Sequence, residues 1–179
     1  MNTRKEKRSA KRRQTRHSES KIQHHHLLLR METQKCPLEG DKAKAKALVE
    51  RIVHDVNMKL LGEARVYYVT YPRYNEGLTA IAPIQTSHIA FHFWRNPDPK
   101  IFQNKGSKCL LEFDLYTCGT LSLRQITKIL HHLTHFVPTH VNATVLNRNH
   151  SLVIDRRLIW DATLNETTYA QWVDKLPHD

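Results

Sequence analysis

Apolar and polar positions follow two different periods along the chain, and the switches between them mark the elements. Leu27-Leu28-Leu29 and Met31 form a short apolar run behind His24-His25-His26, which predicts a first strand that Pro37 and Gly40 break. Asp41 stands where a helix N-cap belongs. Ala45, Leu48, Val49, Ile52, Val53, Val56 and Leu60 then recur at three- and four-residue steps, the one-sided stripe of an amphipathic helix. The stripe predicts a helix over about residues 41–61, with Gly62 as its C-terminal cap. Residues 64–71, 77–84 and 88–94 read as three strands, the first two joined by a turn at Pro72–Glu76. Pro83 cannot donate to a ladder, so it predicts an edge position or a bulge. A polar loop from Asn96 to Gly106 precedes a strand over residues 109–116. A second helical stripe (Leu123, Ile126, Ile129, Leu130, Leu133, Phe136) ends at Pro138. Residues 140–146 and 151–154 read as short strands, and the polar segment 161–179 as a short helix.

The order β-α-β-β-β-β-α-β predicts an α+β fold: a two-layer sandwich, mainly antiparallel, with two helices on one face. A length of 179 residues suits one domain plus a tail. The net charge of +11 is concentrated at the N-terminus, where nine Lys or Arg in residues 1–21 face only Glu6 and Glu19. Met1 and Ala10 are the only apolar residues there, too few to offset the entropy of ordering. Residues 1–23 therefore read as a disordered basic tail and 24–179 as the domain. The tail is a solubilising leader or an arm for nucleic acid or an anionic surface. It lacks the apolar stretch of a secretory signal, and no run in the chain reaches membrane-span length. Three cysteines (Cys36, Cys109, Cys118) without a framework spacing argue against a disulfide scaffold and fit a cytoplasmic protein.

Two segments concentrate the chemistry. Thr86-Ser87-His88-Ile-Ala-Phe-His92 places a serine near two histidines. Ser87 and His92 are an odd number of residues apart, so in a regular strand they face opposite ways. They could cooperate only if Ser87 lay in a turn or bulge ahead of the strand. Asp114, Tyr116 and Cys118 share one face by their two-residue spacing, and Cys118 precedes Gly119 at the strand end. The bland reading of a lone cysteine is a small buried hydrophobe, which is the role expected of Cys109. A Ser-His-acid hydrolase is disfavoured because no Gly-x-Ser-x-Gly elbow is present. His131 with His135 and the His24–His26 triplet invite a zinc reading, but three or four converging ligands are required and no HExxH or CxxC pattern occurs. No metal is expected.

Taken together, Gly77 to Trp94 and Phe113-Asp-Leu-Tyr-Thr-Cys-Gly119 resemble the prokaryotic S-adenosylmethionine decarboxylase family, with a similar element order from His26 to about Asn149. The resemblance implies a self-processing enzyme that cuts the Thr86–Ser87 bond and converts Ser87 into a covalent pyruvoyl cofactor. By that likeness His92 matches the processing histidine and Thr79 stands where the family has a processing serine. Cys118 matches the thiol that returns a proton to the substrate carbon. A pyruvoyl ketone forms a Schiff base with the substrate amine and withdraws electrons as carbon dioxide leaves. The resemblance further implies S-adenosylmethionine as substrate, spermidine synthesis as the pathway, and a homodimer. Phe113 and Tyr116 are guesses, from proximity, for the adenine contact.

The chain departs from the family pattern at four places. Thr86 replaces a glutamate before the serine. Arg30 falls about where the first strand has a glutamate, with Glu32 two residues out of register. The loop from Asn96 to Lys108 is long, and the basic tail has no counterpart. Two other readings follow: an uncleaved, non-catalytic paralogue that pairs with an active enzyme, or a relative that decarboxylates ornithine or arginine. A nucleic-acid-binding domain would explain the tail but not the serine, histidine and cysteine set.

Overall fold

The computed structural model describes residues 23–85 and 87–177; the basic tail and Thr86 lie outside them. Seven strands form one sheet: β1 (His25–Thr33), β2 (Arg65–Val69), β3 (Gly77–Ile84), β4 (Ser87–Trp94), β5 (Cys109–Thr117), β6 (Pro138–Asn147) and β7 (Val153–Asp161). Their order is β2-β3-β4-β5-β1-β6-β7 and every neighbouring pair is antiparallel. Helices α1 (Lys42–Asp55), α2 (Leu123–His132) and α3 (Tyr169–Asp174) complete the fold. β1 and β2 run parallel across the sheet, as do β5 and β6, so α1 and α2 are the crossovers that join them. This is the expected two-layer α+β sandwich; β7 and α3 fall where residues 151–154 and 161–179 read as a short strand and a short helix, elements that the order β-α-β-β-β-β-α-β left out.

The core lies between the sheet and the helices. Leu27, Leu29 and Met31 of β1, Phe91 of β4, and Leu111, Phe113 and Leu115 of β5 are at most 1% exposed. They meet Val49 and Ile52 of α1 and Ile126, Ile129 and Leu130 of α2 in one cluster. Each such side chain contributes roughly 1.5–3 kcal/mol of transfer free energy. The opposite parity of each strand (His26, Leu28 and Arg30; His88 and His92; Glu112, Asp114 and Tyr116) faces away from the helices.

α1 stops five residues short of the end of its apolar stripe at Leu60. Asn57 takes φ 58°, a left-handed conformation that asparagine tolerates at a helix end. Its N–H donates to His54 O at 3.0 Å and the Met58 N–H to Val53 O at 2.9 Å. Asn57, not Gly62, therefore closes the helix, and Leu60 bridges to Ile84 instead. α2 begins as its pattern requires. The Ser122 and Gln125 side chains reciprocally cap its first turn. Pro83 sits in β3 beyond the reach of β2, whose pairing ends at Ile81, so it occupies a local edge without a bulge.

Two further departures concern β1. Cys36 and Cys109 are bonded to each other, with Cα atoms 5.8 Å apart, so Cys109 is not merely a buried apolar residue. Register explains the pairing: Cys109 lies opposite Thr33 at the end of β1, which the 73-residue sequence separation conceals. Glu32 is fully buried. Its carboxylate accepts the Gln103 and Asn104 N–H groups at 2.7 and 3.0 Å and the Ser107 hydroxyl at 2.8 Å. Arg30 donates to Ile101 O at 2.9 Å and to Glu112 at 2.8 Å. Both residues hold the loop between β4 and β5 onto the sheet.

Candidate active site

Register places the sequence-selected residues in two groups. Ser87 opens β4, paired with Ile84 on one side and Thr117 on the other, and β4 shows no register shift against either neighbour. Ser87 thus stands inside the β4 ladder, in register, rather than in a bulge ahead of it. Five residues at strand spacing put His92 about 16 Å away and on the opposite face. Within one chain the structure does not bring Ser87 and His92 together.

It does bring Ser87 towards Cys118. Thr117 is the direct partner of Ser87 and Cys118 is the next residue. Their Cα atoms are therefore within about 9 Å, one inter-strand step plus one chain step. Cys118 is a partly exposed free thiol in the bend after β5.

The Ser87 hydroxyl lies 3.1 Å from Nδ1 of His88. The other ring nitrogen of His88 is 3.0 Å from Asp114 Oδ1. That pair has ion-pair distance without hydrogen-bond alignment, and Oδ1 is a buried oxygen with no hydrogen-bond partner. The second oxygen of Asp114 is 2.7 Å from His26 Nε2. Arg148 approaches His26 Nδ1 at 3.2 Å. A guanidinium only donates, so Nδ1 accepts, and the remaining ring N–H of His26 donates to Asp114. Tyr116 lies amid this group, its hydroxyl 2.8 Å from His24 Nδ1 and its ring 4.4 Å beneath the Arg148 guanidinium. The rings of His26 and His88 stand 5.6 and 6.0 Å from it.

The second group lies nearer the other end of the sheet. Thr79 and His92 are direct partners across β3 and β4, and Thr79 Oγ1 is 2.9 Å from His92 Nδ1. Glu112, bridged to Arg30, lies opposite His92 on the neighbouring strand. Tyr116 is on the open face beside the first group, whereas Phe113 is 1% exposed and packs against the helices. The sequence reading passed over His26, Arg148 and the contact of His88 with Ser87; the even-residue alternation of β1, β4 and β5 was the signal that groups His26 and His88 with Asp114. Among the described residues no group of three or more His, Cys, Asp or Glu has an arrangement that could hold a metal ion. None of the described helices is long and apolar enough to cross a membrane.

A helix-backed antiparallel sheet, with Ser87 at a strand start and a free thiol at the adjacent strand end, makes this an α+β protein whose clustered polar side chains sit on and around the open sheet face. Residues 25–149 match the S-adenosylmethionine decarboxylase family model, and the chain belongs to that family. No curated protein matches it.

Proposed function

We propose that the chain is a proenzyme that cuts itself between Thr86 and Ser87 and then decarboxylates S-adenosylmethionine to supply aminopropyl groups for spermidine; the Cys36–Cys109 bond removes the argument from unpaired cysteines for a cytoplasmic site. The observation that carries this reading is the position of Ser87. It opens a strand, its hydroxyl is held by an imidazole, and its cross-strand partner adjoins a free thiol. In the processing chemistry the Ser87 hydroxyl attacks the preceding carbonyl and the peptide becomes an ester. Loss of the Ser87 α-proton then expels the upstream chain as a carboxylate, and hydrolysis of the dehydroalanine left behind releases ammonia. The residues present fit the pyruvoyl group so formed, because its precursor hydroxyl has a proton acceptor and the adjoining strand end carries an acid. When formed, the group supplies an electron sink for decarboxylation. Cys118 then holds the proton that returns to the substrate carbon.

Thr79 and His92, already hydrogen-bonded to each other, serve Ser87 only from a second copy, since about 16 Å separates His92 from Ser87 in one chain. The open face supports such pairing. Leu28, Ile81, Tyr67 and Ile159 lie on it at 38%, 45%, 52% and 53% exposure, and exposed apolar residues grouped on one sheet face mark an interaction surface.

Intact mass measurement tests the reading. The expected products are residues 1–86 and 87–179, the latter blocked at its N-terminus, while Ser87→Ala stays whole. Sedimentation should show a dimer. Carbon dioxide release compared across S-adenosylmethionine, ornithine and arginine assigns the substrate. A wild-type chain that stays intact under all conditions refutes self-processing and promotes the non-catalytic paralogue.

A further inference from the structure

We infer that His88 is the base that takes the proton from Ser87 in the first step of self-cleavage, and that Asp114 is the positioning residue that orients it. This rests on the self-cleavage reading and adds to it a residue outside the Thr79–His92 pair. His88 is the imidazole that touches Ser87 Oγ, at 3.1 Å, whereas His92 is about 16 Å away along the same strand. A general base must stand within hydrogen-bond reach of the proton it removes. Its protonation pattern is set from behind. Asp114 presents a buried, unpartnered oxygen 3.0 Å from His88 Nε2. That oxygen favours the tautomer with the proton on Nε2, which leaves Nδ1 as an acceptor aimed at Ser87. His26, locked by Arg148 into donating to the other carboxylate oxygen, keeps Asp114 in place and leaves Oδ1 for His88. The order Ser87–His88–Asp114 parallels that of a serine triad with the two ring nitrogens exchanged, the His88–Asp114 link being an ion-pair contact rather than an aligned hydrogen bond.

The step balances within the chain. The Ser87 Oγ–H proton passes to His88 Nδ1 as Oγ bonds to the Thr86 carbonyl carbon. The C–N bond of the resulting tetrahedral centre then breaks, and His88 returns the proton to the Ser87 nitrogen. The products are an ester and a free amine, and His88 is regenerated neutral. Removal of the Ser87 α-proton, which comes later, is left to the His92 of a second copy, since the same chain's His92 is about 16 Å away.

The test follows cleavage of freshly made full-length chain by intact mass. His88→Ala should slow it about 100-fold, the lower end of what a positioned base contributes, and added imidazole should restore most of the rate. The side chain of His88 is 44% exposed, so the variant keeps its core, and a thermal melt checks that it is folded. Asp114→Asn should slow the wild-type chain about tenfold yet leave the imidazole-rescued His88→Ala chain unchanged, because free imidazole needs no orienting carboxylate. A purely structural role for Asp114 would slow both, and that result overturns its assignment. A wild-type chain that splits alongside His88→Ala at equal rate, or a slow His88→Ala that imidazole does not restore, overturns the base and leaves self-cleavage standing. A wild-type chain that never splits removes both readings.

Discussion

Replacing Glu32 by alanine should cost stability heavily and self-cleavage nothing. The carboxylate is fully buried and accepts two backbone N–H groups and one hydroxyl from the loop over residues 96–108. Removing it orphans Gln103 N and Asn104 N and leaves Ser107 with only Thr139 Oγ1 at 2.7 Å. A buried donor left without a partner costs about 1–3 kcal/mol. Two backbone donors, partly rehydrated at the loop surface, give about 3–5 kcal/mol in all. Equilibrium urea unfolding measures this. With a slope of about 2 kcal/mol/M, typical of a domain this size, the midpoint should fall by about 2 M. Glu32→Gln should fall about half as far, since one oxygen survives while the new amide N–H₂ faces a donor. Six strand residues, about 20 Å, separate Glu32 from His26 beside the Ser87 group. Cleavage of folded Glu32→Ala should therefore match wild type. A midpoint shift under 0.5 M, or a cleavage defect without loss of stability, would refute the reasoning and return Glu32 to the chemistry.

Gly77 is opposite Trp94, and an added Cβ would overlap the backbone carbonyl of Phe93. Gly77→Ala should splay β3 from β4, costing about 3 kcal/mol and lowering the melting temperature by about 10 °C; an unchanged melt contradicts this close approach. Asp161 is nearly buried, and burial alone would raise its pKa. Hydrogen bonds from Thr163 and His140 outweigh burial and hold it below the ordinary carboxylate value. A carboxyl lowered in the folded state stabilises above its unfolded pKa of about 4 and loses that contribution as pH falls through the folded value. Asp161→Ala should thus cost about 2 kcal/mol near neutrality, and the gap from wild type should close only below about pH 4; a gap independent of pH to pH 2 counts against it. Thiol titration of unreduced, unfolded protein should find one thiol, Cys118, and three after reduction. Three before reduction means that the Cys36–Cys109 bond does not form.

Periodicity carried most of the fold because each element buries one face. The two helical stripes and the alternation in β1, β4 and β5 are direct records of which side meets the core. β7 was read four residues long where the strand spans nine. It is an edge strand, exposed along most of its length, so no alternation marks Asp155-Arg156-Arg157, and such charges suit an edge. The end of α1 was misplaced because Asn57 can adopt the left-handed turn that the reading assigned to glycine.

The sequence by itself determined the α+β class, the family and the pair of segments that hold Ser87 and Cys118. Local spacing suffices for these, since period and motif are properties of short stretches. Only the tertiary structure decided which histidine lies against the serine. Ser87 and His92 are five residues apart yet on opposite faces, whereas His26, His88 and Asp114 come from three strands and meet at one carboxylate. Strand register sets those meetings, and register is fixed by burial across the whole sheet, which no single segment encodes. The same cause joins Cys36 to Cys109 and makes Glu32, two residues out of register with the family's first-strand glutamate, the anchor of a loop.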